Sequence, residues 1–178
     1  MPGWGDDAPK LLVIGLAPGL RGANRTGRPF TGDFAGDLLF ATLTRLGLAR
    51  GTYAARADDG YSLRGVRICN AVHCVPPQNK PVGAEIATCR RFLTATLDVY
   101  AGATTLLALG RIAHDTVLSA LGETRARFRF AHAARHKLGG GRVLFDSFHC
   151  SRYNTNTGRL TPEMFEAAVA AAKAEAGL

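Results

Sequence analysis

Lys10-Leu11-Leu12-Val13-Ile14-Gly15-Leu16 is a short, unbroken apolar run that ends at a glycine, with Pro18-Gly19 just beyond. An apolar run of this length without alternation suits a strand buried on both faces of a sheet. Three runs downstream have the same character: Gly65-Val66-Arg67-Ile68-Cys69-Asn70-Ala71-Val72, Thr104 to Leu109, and Arg142 to Phe148. Helical patterns separate and follow them. Residues 36–47 carry apolar side chains at helical spacing and stop at Gly47, residues 84–100 read as a helix, and Gly110-Arg111 opens another to about Leu121. Thr161-Pro162 starts the last helix, with threonine as N-cap and proline at the first helical position. Strand then helix, four times over, predicts an α/β fold with a parallel sheet covered by helices on both faces. Three prolines force residues 74–81 into loop, residues 149–160 read as a polar loop, and residues 48–64 as a surface excursion. No repeat, low-complexity tract or linker divides the chain, so residues 1–178 are expected to form one domain.

Composition narrows the function classes. Hydrophobic residues make up 47% and charged residues 20% of the 178, which excludes a disordered chain. No apolar run approaches the roughly 20 residues of a membrane-spanning helix, and Met1 to Asp7 has neither the basic nor the apolar region of a signal peptide. Four cysteines, at 69, 74, 89 and 150, are too few and scattered for a disulfide framework. A reduced, cytoplasmic protein away from membranes is expected. Lysine and arginine total 22 against 14 acidic residues, a net charge of +8. Residues 111–160 hold nine basic residues against three acidic ones, so that window alone carries +6. Charge clustered this way suits a polyanion, nucleic acid first. A coding bias that trades lysine for arginine and enriches alanine and glycine accounts for the same counts.

In an open parallel sheet, ligands bind beyond the C-terminal ends of the strands. Three unusual polar segments fall there. The first strand leads into Gly15-Leu16-Ala17-Pro18-Gly19 and then Asn24-Arg25-Thr26-Gly27-Arg28-Pro29-Phe30-Thr31-Gly32-Asp33. The second leads into His73-Cys74-Val75-Pro76-Pro77-Gln78-Asn79, and the fourth into His149 and the polar loop to Arg159. A composite site holding Asp33, Asn79 and His149 is expected. Its chemistry suits a nucleobase. The Asn79 amide pairs bidentately with a base edge, Phe30 stacks on a ring, His149 donates to an oxygen gaining charge, and Asp33 orients a water. Each has a plainer role: Asp33 as N-cap of the next helix, Asn79 as a turn residue, and His149 and Phe30 as core. His73, His114, His132 and His136 fit no metal spacing and read as structural or surface, with His132 the one placed to line the site. No metal is expected.

These segments resemble the motifs of the B-type, family 5 uracil-DNA glycosylases. Gly15 to Asp33 resembles their first motif, Ala71 to Pro81 the second, Ala108-Leu109-Gly110-Arg111-Ile112-Ala113 the third, and His149 to Thr161 the last. Leu16 favours the B-type over the A-type, which has a glutamate after the first glycine. The resemblance implies a three-layer α/β/α fold around a four-stranded parallel sheet. It implies a monofunctional enzyme that flips uracil, and often other deaminated bases, out of DNA and leaves an abasic site. It also implies catalytic roles for Asp33, Asn79 and His149, a base pocket of Phe30, Asn79, Gly15, Leu16 and Ala17, and DNA contacts from Ser151, Arg152, Tyr153, Asn154 and Arg159. Cys150 stands where relatives often have proline. The family's upstream Cys-x-x-Cys pair, which with two later cysteines holds a 4Fe-4S cluster, has no counterpart here. Cys74 and Cys89 match the later pair. A monomer that acts on uracil-containing DNA without cofactor or cluster is expected. Two rivals belong to other classes: a uracil-DNA or damaged-DNA binding protein with weak turnover, and a flavodoxin-like enzyme of free nucleotides.

Overall fold

The computed structural model describes residues 1–178 apart from the side chain of Asn79. In chain order the strands are β1 (Trp4–Gly5), β2 (Leu11–Gly15), β3 (Ala49–Arg50), β4 (Ser62–Leu63), β5 (Val66–Asn70), β6 (Thr105–Leu109), β7 (Arg135–Lys137) and β8 (Val143–Ser147). The helices are α1 (Ala23–Thr26), α2 (Phe34–Arg45), α3 (Gly83–Val99), α4 (Arg111–Ala120), α5 (Arg152–Asn156) and α6 (Pro162–Glu175). The four expected strands form the centre of the sheet as β5-β2-β6-β8, all parallel. The sheet is wider than four strands, however. Antiparallel β1 and β7 close its two edges, giving six in the order β1-β5-β2-β6-β8-β7.

Period-two alternation along β2 builds two cores at once. Leu11 and Val13 join Phe40, Leu43, Phe165 and Val169 under α2 and α6, while Leu12 and Ile14 join Leu93, Leu97, Val117 and Leu118 under α3 and α4. All five residues of β2 are buried, which explains why its sequence shows no polar face. Register then aligns the strand ends: Gly15 pairs with Asn70, Ile14 with Ala108, and Leu109 with Ser147. The segments that follow β2, β5, β6 and β8 therefore emerge together on one side of the sheet. Thr161 caps α6 as its sequence predicts, its Oγ1 accepting from the Met164 N–H at 3.2 Å. Residues 149–160 depart from a plain loop, since α5 occupies their middle behind a Ser151 cap.

Residues 48–64 also differ from a surface excursion. Leu48, Tyr61 and Leu63 are buried, and β3 and β4 pair as a small antiparallel ladder. Asp59 from this segment meets Arg28 from the loop before α2, with both N–O contacts at 2.8 Å and side chains only 2–3% exposed. The Arg28 guanidinium lies 4.8 Å from the centre of the Trp4 ring, and its Nε donates to Thr31 Oγ1 at 2.6 Å. Those hydrogen bonds hold the Asp59 carboxyl far below the usual carboxylate range, against the cost of its burial. A depressed pKa contributes stability that is present above the unfolded value of about 3.9 and is lost as pH falls below it. Asp59→Asn is therefore expected to cost about 3–5 kcal/mol at neutral pH, read as a lower midpoint in denaturant. The variant is also expected to lose stability less steeply than the parent between pH 5 and pH 3. Equal midpoints at pH 7 would show that the pair contributes nothing.

Candidate active site

A cavity of about 440 Å³ opens at the C-terminal end of β2. Leu16, Ala17, Pro18 and Gly19 form one side, Phe30, Asp33 and Ala35 another, and His149 and Ser151 close it. Two catalytic candidates, Asp33 and His149, thus reach one space from positions 116 residues apart in sequence (149 minus 33). Asn79 ends a 3-10 turn, Pro77–Asn79, in the proline-rich loop, and its side chain lies outside the described residues.

Asp33 sits at the N-cap position of α2, but its side chain makes no capping hydrogen bond. The carboxylate turns instead toward the start of α1, where Oδ2 accepts from the Ala23 N–H at 3.1 Å. Gly22 makes this possible: a Cβ there would lie 2.1 Å from Asp33 Oδ1 and 2.8 Å from its backbone nitrogen. Asp33 therefore does not cap α2, and it lines the cavity.

Phe30 adopts a left-handed backbone, φ 62°, and is buried. For a bulky residue this is strained, at a cost on the order of 1–3 kcal/mol that the surroundings must hold. Its ring packs where the side chain of residue 15 would be, since a Cβ on Gly15 would meet Phe30 Cζ at 2.6 Å and Asn70 Oδ1 at 2.5 Å. Gly15 is thus the gap that lets Phe30 and Asn70 approach. Asn70 is 4% exposed, and its Oδ1 has no hydrogen-bond partner. Such an orphaned buried acceptor costs about 1–3 kcal/mol unless a ligand meets it. Sequence reading missed Asn70 by treating it as the interior of a strand. Its place as the last residue of β5, beside a glycine on β2, was the available signal.

His149 lies beyond β8, its Cβ 3.4 Å from the Cβ position of Gly110. Asn154 Nδ2 donates to the His149 carbonyl at 2.8 Å, and the buried Cys150 thiol donates to the Ala35 carbonyl at 3.4 Å. Cys150 thus ties the histidine loop to α2. The His149 ring lies near-parallel to Phe30, 6.1 Å between centres and 22° between planes. Burial pushes its imidazole down to about 4, so the ring is neutral at pH 7.

His149 and Leu16 also line a second cavity of about 620 Å³, with Arg111, Phe130, His132, Asn154 and Arg159. His132 lines this second cavity but not the one that holds Asp33, and its Nδ1 accepts from the Phe148 N–H at 3.2 Å. Arg152 and Tyr153 line neither cavity: Arg152 stands 5.0 Å over the Phe34 ring, and Tyr153 is 72% exposed.

The remaining histidines answer two questions about metals. His114 and His136 converge on buried Asp146, at 2.7 Å from His114 Nδ1 to Oδ1 and 2.9 Å from His136 Nε2 to Oδ2. This convergence corrects the reading from linear spacing, which missed a grouping made by the sheet. His114 Nε2 also lies 3.0 Å from the Phe128 carbonyl. With an acceptor on each side, the ring carries both protons. Burial opposes the charge, but the hydrogen bond and the charge of Asp146 outweigh it and raise the pKa. Every near contact is thus a satisfied hydrogen bond. Among the described residues this is also the one grouping of three or more metal-ligating side chains, and it contains no cysteine. A 4Fe-4S cluster takes four thiolates. Cys74 is exposed while Cys69, Cys89 and Cys150 are buried, and burial pushes the Cys69 and Cys150 thiols up to about 12. The thiols of residues 1–178 do not fit a cluster.

Comparison with known proteins agrees with this geometry. Residues 2–173 match the uracil DNA glycosylase superfamily. The chain belongs to that superfamily. It is 44% identical to a type-5 uracil-DNA glycosylase of Thermus thermophilus over 178 residues, all of this chain and 81% of that protein. It is 41% identical to a type-5 uracil-DNA glycosylase of Pyrobaculum aerophilum over 99% of this chain and 76% of that one, and 41% identical to one of Mycobacterium bovis over 100% and 67%.

Two of the perturbed histidines of this superfamily member, His149 and His114, are expected to titrate in opposite directions. In nitrogen-15 histidine spectra, His149 stays neutral down to about pH 4, whereas His114 remains protonated above the ordinary 6.5. The His149 contribution to stability is present above about 6.5 and is lost as pH falls; the His114 contribution is present below about 6.5 and is lost as pH rises. A His149 midpoint near 6.5 would overturn the desolvated pocket.

Proposed function

We propose that this member of the uracil DNA glycosylase superfamily excises uracil from DNA by hydrolysing the N-glycosidic bond, leaving an abasic site for repair. The observation that carries the reading is the single cavity that presents the Asp33 carboxylate and the His149 ring on its walls beside Phe30. The reading is of a monomeric, cytoplasmic, single-domain enzyme that needs no metal, cluster or nucleotide cofactor.

The uracil nucleotide leaves the stack and enters the cavity over Phe30, at a cost of a few kcal/mol in unpairing. Ser151, Arg152 and Asn154, with the exposed Tyr153 ring, occupy the gap and hold the backbone, while Arg159 meets a neighbouring phosphate. Asn70 reads the base: its free Oδ1 accepts from uracil N3–H, and its amide NH₂ donates to O4. A cytosine presents no N3–H and a donor in place of O4, so the buried amide would be mispaired twice. As the C1′–N1 bond breaks, its electron pair moves onto the base and charge gathers at O2. Neutral His149 donates a hydrogen bond there. Removing such a donor costs about 3–4 kcal/mol of transition-state stabilisation. Asp33 orients the water that attacks C1′ and takes up its proton. Asn79, in the turn Pro77–Asn79, is the other candidate for base reading.

The test is a labelled uracil-containing oligonucleotide incubated with the protein and then treated with hot alkali. Strand scission without added metal is expected. Intact DNA at stoichiometric protein would overturn the glycosylase reading in favour of a binding protein. Asp33→Ala and His149→Ala are each expected to lose at least about a hundredfold in single-turnover rate with little change in binding. Asn70→Ala is expected to lose rate and discrimination between uracil and cytosine, and Asn79→Ala reports whether that turn shares the reading. Wild-type rates from Asp33→Ala would return that residue to a structural role.

A further inference from the structure

A third hollow, of about 570 Å³, adjoins the site. Arg111, Arg125 and Arg129 converge on it, with Asp115 and the rings of Phe128 and Phe130 completing its walls. Arg111 and Phe130 also belong to the 620 Å³ cavity, which in turn shares His149 and Leu16 with the Asp33 cavity. Each hollow thus shares walls with the next, in a row that starts at the Asp33 cavity.

The three arginines are exposed, and among the described residues none makes an ion pair or a side-chain hydrogen bond with a protein acceptor. Arginines elsewhere do find carboxylates: Arg28 pairs with Asp59, Arg45 with Glu166, Arg56 with Asp58 and Arg135 with Glu175. A single unpaired surface arginine needs no explanation. Three around one hollow repel one another, and Asp115 is the only carboxylate lining it. The arrangement is favourable when an anion sits between them, and planar guanidinium groups suit phosphate oxygens.

We propose that the Arg111–Arg125–Arg129 hollow is a phosphate track. It holds backbone phosphates of the DNA strand that carries the extruded nucleotide, on the flank reached through Arg111. The proposal rests on the glycosylase reading and extends its DNA contacts beyond residues 151–159. Arg111 starts α4 at the C-terminal end of β6, and Arg125 opens the 3-10 turn Arg125–Arg127 after that helix. One helix and its following turn thus place Arg111 and Arg125, and Arg129 follows two residues beyond that turn.

The probe is a fluorescently labelled duplex without uracil, so that binding is read without turnover. Each phosphate contact contributes about 0.9 to the slope of log affinity against log salt. The Arg125→Ala/Arg129→Ala double variant is expected to bind more weakly and to lose about 2 from that slope. Asp115→Asn, which removes the one opposing charge, is expected to bind more tightly. In single-turnover excision at increasing protein, the double variant should need more protein for half-maximal rate, with its plateau rate within about twofold of the parent. Both substituted arginines are exposed, so an unchanged melting temperature is expected and confirms that the fold is intact. A slope equal to that of the parent overturns the track and leaves the glycosylase reading standing. A reduced slope in a protein that never excises uracil keeps the track and overturns that reading instead.

Discussion

Arg28 carries a charge that it cannot discard. A guanidinium is a permanent charge in proteins, yet this one is buried among the rings of Trp4, Phe40 and Tyr53. Only a matched anion makes that burial tolerable, and Asp59 supplies both oxygens. The partner comes from the segment between α2 and β5, so one ion pair gathers three distant parts of the chain. Trp4 on the edge strand, Phe40 on α2 and the loop from Gly27 to Asp33 are held in a single knot. Asp59 also accepts from the backbone N–H groups of Ala54 and Tyr61, which fixes its own loop.

What the knot holds is strain. Phe30 lies two residues beyond Arg28 in a backbone region that aromatic residues avoid, and Asp33 lies three residues further on. A carboxylate that would cap α2 at little cost is turned away from it, against the backbone of residues 19–23. A conformation with these local costs persists only where the surroundings leave no alternative. Arg28 supplies part of that constraint through Thr31, and Tyr53 another part through its hydroxyl, which accepts from the Gly32 N–H at 3.2 Å. Packing from the other side is tight as well, since Gly22 and Gly15 leave no room for a side chain. Stability far from the pocket is thereby converted into a fixed orientation of the Phe30 ring and the Asp33 carboxylate.

The central sheet was legible because burial on both faces leaves an unmistakable pattern: β2, β6 and β8 are buried throughout. The edge strands were not, because Trp4–Gly5 is two residues long and Arg135–Lys137 is almost wholly polar. Neither has a periodicity to read. Asp33, Phe30 and His149 were legible through unusual residues at the ends of strands. Asn70 was not, because its meaning depends on the neighbour that β2 places beside it. Asp59 and the His114–Asp146–His136 group were hidden for a similar reason: their partners lie 31, 32 and 10 residues away and meet only through the fold. Spacing rules detect ligands that share one helix or one turn, and none of these do.

The molecule separates two kinds of electrostatics that a single basic surface would confuse. Around the cavities, arginines supply a positive field that acts at a distance and weakens with salt. Inside, His149 is held neutral, with only about one ring in a thousand protonated at pH 7 for a group near 4. A permanently charged imidazolium there would need its own counterion in the empty pocket, and an anion resident in the pocket would compete with the base. A neutral N–H needs none. In the proposed mechanism it interacts weakly with an intact base and strongly with a departing anion, so its contribution rises as the bond breaks. The same logic applies to the buried Asn70 amide, which is neutral and whose Oδ1 has no partner in the protein. In the proposed mechanism, long-range charge brings DNA to the surface, while short-range neutral donors and acceptors distinguish one base from another.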